Sequence, residues 1–187
     1  MAFHHLIDRA RRRLARHRLA GSAAGFARAE DGATAVEFAF VAIPFLLLVF
    51  AIIELGLVFL VSLTLENAVM DVGRTIRTGQ VQTSGGNAAS FKTAVCNKMN
   101  WLGSKCAANL QIDVRVFSDY SSGNTSAATG AVPTTMNWNP GAAGSIVLVR
   151  AYYTWPLVTP LMQTGLQNSG GKRIVYAATA FTNEPYE

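Results

Sequence analysis

The stretch from Ala33 to Leu65, ATAVEFAFVAIPFLLLVFAIIELGLVFLVSLTL, constrains this chain more than any other. No residue is charged between Phe38 and Ile53, nor between Leu55 and Leu65. Roughly 20 apolar residues, each rising about 1.5 Å in a helix, cross the hydrocarbon layer of a bilayer. The run is too long for the apolar region of a secretory signal, and no A-x-A-like site follows it. It reads as a single membrane span in contact with the lipid bilayer. It also accounts for a composition that is 50% hydrophobic and only 14% charged, against about 25% charged residues in an ordinary soluble domain.

The net charge of +5 is unevenly spread. Residues 1–32 carry seven arginines against Asp8, Glu30 and Asp31, whereas the rest of the chain carries nine basic residues against eight acidic ones. The arginines flank the span on its N-terminal side, which places that side in the cytoplasm and the body across the membrane. Because the body is nearly neutral, no nucleic-acid partner is expected. In the leader, Leu6, Ala10 and Leu14 recur at helical spacing among arginines. The segment reads either as a surface-lying amphipathic helix or as a disordered tail that sets topology.

Beyond the span the periodicity continues. Val58, Val61, Leu65, Ala68, Val72 and Ile76 form an apolar stripe at three- and four-residue spacing. Glu66, Asn67, Asp71, Arg74 and Arg77 occupy the other faces. The helix thus becomes amphipathic, with Gly79 as its stop. From Ala33 to Thr78 it would measure about 69 Å. A loop over Gln80–Asn87 follows, then a helix over Ala88–Leu102 with Phe91, Val95, Met99 and Leu102 on one face. Leu110, Ile112, Val114 and Val116 alternate with polar residues as a half-buried strand. Ile146–Trp155, apolar at most positions, reads as a central strand ended by Pro156 and Pro160, and Lys172–Thr182 as a third. The Ser-, Gly- and Asn-rich stretch Tyr120–Gly144 is either mobile or a contact surface, with Trp138 as its candidate anchor. The expected fold is α+β: a long N-terminal helix, transmembrane and then amphipathic, packed on a small antiparallel sheet of about three strands. The expected divisions are a leader over 1–32, the long helix over 33–79 and an exported domain over 80–187.

Little in the body points to catalysis. All three histidines (His4, His5 and His17) lie in the leader, so a serine or cysteine nucleophile would lack its usual base. The glycines match neither a P-loop nor a dinucleotide fingerprint. The chain is read as no enzyme, with no cofactor. Cys96 and Cys106 lack metal-ligand spacing and metal-binding company. On the exported side they are read as a disulfide, with two free thiols as the alternative. The closed loop would contribute about 2.7 kcal/mol by chain entropy.

Two acids interrupt the apolar run. Glu37 lies in the first turns, where the helix dipole favours an anion, and an interfacial carboxylate reaching the cytoplasm would explain it. Glu54 reads either as an acid at the outer interface or as an intramembrane contact, since a charge at the bilayer centre costs about 2.5–3.5 kcal/mol.

The sequence Gly32-Ala-Thr-Ala-Val-Glu37-Phe38, behind a basic leader and ahead of a long apolar run, resembles the processing site of Flp-type prepilins and pseudopilins. The stretch AVEFAFVAIPFLLLVFAIIELG, followed by LENAVMDVGRTIRTGQ, resembles TadE-like proteins of the tight-adherence pilus system. Glu54-Leu-Gly56, Arg77-Thr-Gly-Gln80 and the ending Phe181-Thr-Asn-Glu-Pro-Tyr186 fit that group. The resemblance is densest over residues 32–80. It implies a pilin-like fold and cleavage between Gly32 and Ala33 by a prepilin peptidase, with Glu37 and Phe38 as the Glu-aromatic pair. It also implies the role of a minor pseudopilin that primes or joins a pilus for surface adherence. The partners implied are the peptidase, other Tad pilus subunits and inner-membrane assembly proteins. The place implied is a bacterial inner membrane, with the N-terminus cytoplasmic, the body periplasmic and incorporation into the pilus as a further destination. Cleavage would leave an ammonium on Ala33 that Glu37 could neutralise, in its own subunit or a neighbour's. Pro44 would kink the helix or be accommodated by neighbouring helices. The alternative is an unprocessed bitopic scaffold of the pilus or secretion machinery.

Overall fold

The computed structural model describes residues 30–123 and 132–186. The readings of the leader before Glu30, and of the middle of the Tyr120–Gly144 stretch, lie outside them. The chain divides into two compact units, Met1–Val49 and Phe50–Glu187. The boundary falls inside helix α1, Glu30–Arg77, and Pro44 lies within that helix without ending it.

In the first unit most of the α1 side chains from Ala33 onward are exposed. Val36, Phe38, Phe40, Val41, Ile43, Phe45, Leu46 and Leu48 are all exposed. A soluble helix does not leave so large an apolar surface uncovered. A stretch apolar on all sides calls for an apolar neighbour, lipid or protein.

The second unit begins with the amphipathic part of α1. All six residues of the expected stripe are buried, and Val69 joins them. The helix stops at Arg77, and Gly79 follows with φ 76°. A left-handed residue there lets the chain reverse, and glycine adopts that conformation without steric penalty. One turn of helix, α2 (Gln80–Thr83), then forms where a loop was expected. It is made by Thr83 N–H donating to Gly79 O and Ser84 N–H to Gln80 O. Four residues are too few for a periodicity signal to reveal.

Helix α3 (Ala88–Lys98) starts at a capping box. Ser90 N–H donates to the Asn87 side chain and Asn87 N–H to the Ser90 hydroxyl, both at 2.9 Å. These bonds satisfy two amides that the first helical turn leaves without partners. The expected helix ran on to Leu102. Instead the chain tightens into a 3-10 turn at Asn100–Leu102 and enters a short, unexpected helix α4 (Lys105–Asn109). Gly103, at φ 56°, makes the break between them.

The three expected strands form one antiparallel meander, β1 (Leu110–Phe117), β2 (Ile146–Pro156) and β3 (Lys172–Thr182), with β2 central. The register sets Val114 opposite Val149 and Ala151 opposite Ala177. Alternation therefore gathers Leu110, Ile112, Val114, Val147, Val149, Ala151, Tyr153, Val175 and Ala177 on one face, where they join the α1 stripe, Phe91, Val95 and Met99 in a single core. At Gly73 the helix comes so close to β3 that an added Cβ would lie 3.3 Å from Thr179 Cγ2 and 3.4 Å from Phe181 Cε1.

The opposite sheet face buries a charge cluster. Asp113 and Arg150, cross-strand partners in the register, are both buried. The Arg150 guanidinium donates to Asp113 Oδ2 from Nε at 3.1 Å and from Nη2 at 2.6 Å. Arg115 Nε adds bonds of 3.1 and 3.0 Å, and Asn137 N–H another of 2.8 Å. A carboxylate without water contact is tolerable only with such a set of donors.

The part of the Tyr120–Gly144 stretch that is described corrects the expectation of a mobile or contact-making Trp138. Val114 N–H donates to Asn137 O and Asn139 N–H to Val114 O, both at 2.9 Å. This short parallel bridge closes the outer edge of β1. It turns Trp138, half-buried, inward against the core, with its ring 5.5 Å from that of Phe91. The polar composition around Trp138 concealed a segment whose backbone is paired and whose one large side chain is packed.

Helix α5 (Pro160–Gly165) fills the β2–β3 connection, where only a strand end was expected. Residues 183–186 return to the end of α1. Glu184 N–H donates to Arg77 O at 2.8 Å, and its carboxylate meets Arg77 Nε at 3.0 Å. The Tyr186 ring occupies the space beside Gly79. The Asn183 amide donates to Pro140 O at 2.8 Å and Ala142 O at 3.0 Å. Two segments singled out in the sequence, Arg77–Gln80 and Phe181–Tyr186, are thus in direct contact.

Candidate functional site

The residues expected to carry function fall into three places. The first is Gly32–Phe38, in the opening turns of α1. Ala33, Glu37 and Phe38 are exposed and Gly32 is half-buried. Ala33 and Glu37 are four residues apart in a helix, so they lie on the same side of adjacent turns. Among the described residues no side chain pairs with the Glu37 carboxylate. Phe38 is 73% exposed, which leaves an acid and an aromatic ring side by side on an apolar surface. The arrangement can offer one negative charge and one ring to a neighbouring apolar helix. Among the described residues nothing around it resembles a nucleophile with a base.

The second place is Glu54, in the second unit. It is 5% exposed although residues on either side of it, Ile53 and Leu55, are exposed. Its carboxylate accepts from Val158 N–H at 2.5 Å and Thr159 N–H at 2.8 Å. Both amides belong to the turn that leads from β2 into α5. Hydrogen bonds to an ionised acceptor are the strong ones. They tie the apolar helix to the β2–β3 connection of its own chain. The sequence held no signal for these partners, because backbone amides carry no residue identity.

The third place is the disulfide. Cys96 and Cys106 are bonded, with Cα atoms 5.6 Å apart. Cys106 is buried in the core. The bond fastens the end of α3 to α4, and α4 runs directly into β1. Among the described residues there is no group of three or more His, Cys, Asp or Glu side chains that could hold a metal ion.

An open groove of about 570 Å³ lies between the end of α1 and α3, lined in part by Asp71, Thr75, Val81, Phe91 and Lys98. Its two charged residues, Asp71 and Lys98, meet each other at 3.2 Å. On the far side of the sheet, burial pushes the phenol of Tyr152 above its ordinary value, and the neighbouring Arg150 only partly offsets that. Asp119 is held well below the carboxylate range by hydrogen bonds from Ser121, the Ser122 amide and Ser118.

The described residues contain one helix long and apolar enough to cross a membrane, Gly32–Arg77. No curated protein and no solved structure matches the chain. Residues 32–74, which take in the first two of these places, match the family model described as TadE-like protein.

Proposed function

We propose that this chain is a TadE-like minor pseudopilin, cut by a prepilin peptidase between Gly32 and Ala33, that primes or joins a Tad-type pilus used for surface adherence. One observation carries the reading. The family match begins at Gly32, where Glu37 and Phe38 follow on the exposed start of a membrane-length apolar helix. The role is structural, not enzymatic.

The proposed topology has the leader over 1–32 in the cytoplasm of a bacterium, the first half of the 33–79 helix in the inner membrane and the 80–187 domain in the periplasm. Two independent features favour it. The arginines before the span obey the positive-inside rule, and the Cys96–Cys106 bond belongs to an oxidising compartment. After cleavage, the Ala33 ammonium and the Glu37 carboxylate would neutralise each other within one subunit or between two. Between two subunits the pairing fixes register, since an unpaired charge in a helix bundle is costly. The partners are then the peptidase, other pilus subunits and inner-membrane assembly proteins.

A second reading, an unprocessed bitopic scaffold, has one observation in its favour. The Gly32–Ala33 bond lies inside α1, whereas proteolysis favours exposed, non-helical backbone. N-terminal sequencing of the membrane-fraction protein, with and without co-expressed prepilin peptidase, separates the two. A mature start at Ala33 only with the peptidase supports the pseudopilin, and an intact leader in its presence rules it out. Glu37→Ala should leave cleavage largely intact and abolish assembly. Normal piliation in that variant would remove the pairing role.

A further inference from the structure

Within the second unit, the exposed apolar surface of α1 does not end where about 20 residues of span would end. Phe50, Ile52, Ile53, Leu55, Leu57, Phe59, Leu60 and Leu63 are all exposed large apolar residues. The β2–β3 connection lies beside them. Glu54 fixes its start there through the amides of Val158 and Thr159, and Val158 is 81% exposed, the highest value of any large apolar residue described.

The connection has a second property. Each backbone N–H from Leu157 to Thr159 has a partner within the protein: Leu157 donates to Gly171 O, and Val158 and Thr159 donate to Glu54. Pro160 has no N–H. The Leu157 carbonyl accepts from the Gln163 side chain at 3.0 Å, and the Thr159 carbonyl from Met162 N–H at 3.0 Å. Surface turns ordinarily leave such groups to water. Of these groups only the Val158 carbonyl is left to headgroups or interfacial water, and a turn at a lipid boundary can leave few more, because unsatisfied backbone polar groups are costly there.

We infer that the β2–β3 connection is a second membrane contact: Val158 inserts at the hydrocarbon–headgroup boundary of the leaflet facing the body, and Glu54 is the latch that holds the turn there. The partner is the lipid of the membrane that α1 crosses. This accounts for a buried carboxylate inside an apolar run, which spends its bonding capacity on backbone amides and presents no charge to lipid. It also sets the exposed Val158 side chain on the turn that Glu54 ties to the exposed apolar stretch Phe50–Leu63.

The inference rests on the membrane-spanning reading of α1, and the test keeps the two apart. Full-length protein with its native disulfide carries an environment-sensitive thiol label at Val158→Cys, Ile52→Cys or Ala89→Cys, the last on exposed α3. Each is reconstituted in phosphatidylethanolamine–phosphatidylglycerol vesicles containing a spin-labelled lipid quencher. The expected result is a loss of fluorescence at Val158 comparable to that at Ile52, with little loss at Ala89. Quenching at Ile52 with Val158 behaving like Ala89 overturns the second contact and leaves the span intact. Absence of quenching at Ile52 overturns the span and the inference together. Shielding of the Val158 label only when other pilus subunits are co-expressed assigns the turn to a protein neighbour and also overturns it.

Discussion

Replacing Asp113 by alanine should be among the most damaging single changes to the body. Asp113 has no exposed surface and Arg150 is 3% exposed, so the variant leaves a guanidinium without its carboxylate in a place that water does not reach. Removing one partner of a buried ion pair costs about 3–5 kcal/mol. The lower end applies, because Arg115, a third exposed, can turn to solvent and its share is small. Taking about 3 kcal/mol, and a Tm shift of roughly 3–5 °C per kcal/mol for a unit of this size, the melting temperature should fall by about 9–15 °C. Thermal unfolding of detergent-solubilised full-length protein, followed by near-ultraviolet circular dichroism, reads this directly. Asp113→Leu combined with Arg150→Met should recover much of the loss, since apolar pairs replace buried ion pairs well. A drop of less than about 3 °C for Asp113→Ala would show that the cluster is not structural and would refute the reasoning.

Three further outcomes are expected. Glu54→Leu should destabilise the second unit by about 2–3 kcal/mol, the worth of charge-assisted bonds to otherwise unpartnered amides. Hydrogen exchange at Val158 and Thr159 should quicken with it, and unchanged protection would contradict the latch. Gly79→Ala places a Cβ 2.3 Å from the Tyr186 ring at a φ of 76° and should cost more than about 1 kcal/mol. Adding Tyr186→Ala should recover the steric part but not the backbone part, as two melting curves would show. Burial raises the phenols of Tyr152, Tyr153 and Tyr176 above the ordinary 10.0. The unfolded chain loses these protons first as pH climbs, so stability is fully present below about pH 10 and declines as pH rises from there towards the raised values. Tyrosinate absorbance that appears early and without unfolding would contradict that.

The periodic parts of the fold were legible in the sequence. The α1 stripe from Val58 to Ile76, the three strands and the stop at Gly79 all follow from spacing and glycine chemistry. What was not legible has a common cause. The short elements α2, α4 and α5 are too brief for a period to show: α2 follows the left-handed Gly79, α4 follows the break at Gly103 and is tied by the disulfide, and α5 lies between β2 and β3. Asp113 alternates with apolar neighbours and so looked like a solvent-face residue. The lone Arg150 inside a strand read as central was the one available hint that the far face is covered too. Trp138 was misjudged because its polar neighbours masked an edge pairing. At Glu54 the residue was visible and its partners were not, because they are main-chain amides distant in sequence. Gly32, Ala33, Glu37 and Phe38 were singled out by resemblance, and their proposed roles await the N-terminal sequencing and the Glu37→Ala variant.

The seam between Arg77–Gly79 and residues 183–186 sets an order on how the body is made. The end of α1 gets its hydrogen bond, its ion pair and its aromatic cover from a segment that follows β3, and Val175 and Ala177 of β3 complete the core over the stripe. Contacts between such distant parts of a chain form late. In the proposed topology, a chain crossing the membrane therefore holds an uncovered stripe at the exit until residues 172–186 have also passed. On that topology, maturation of the body follows translocation. In the interval the growing chain is most exposed to misassembly with its neighbours, and truncation before Phe181 should yield an anchored helix with no closed domain above it.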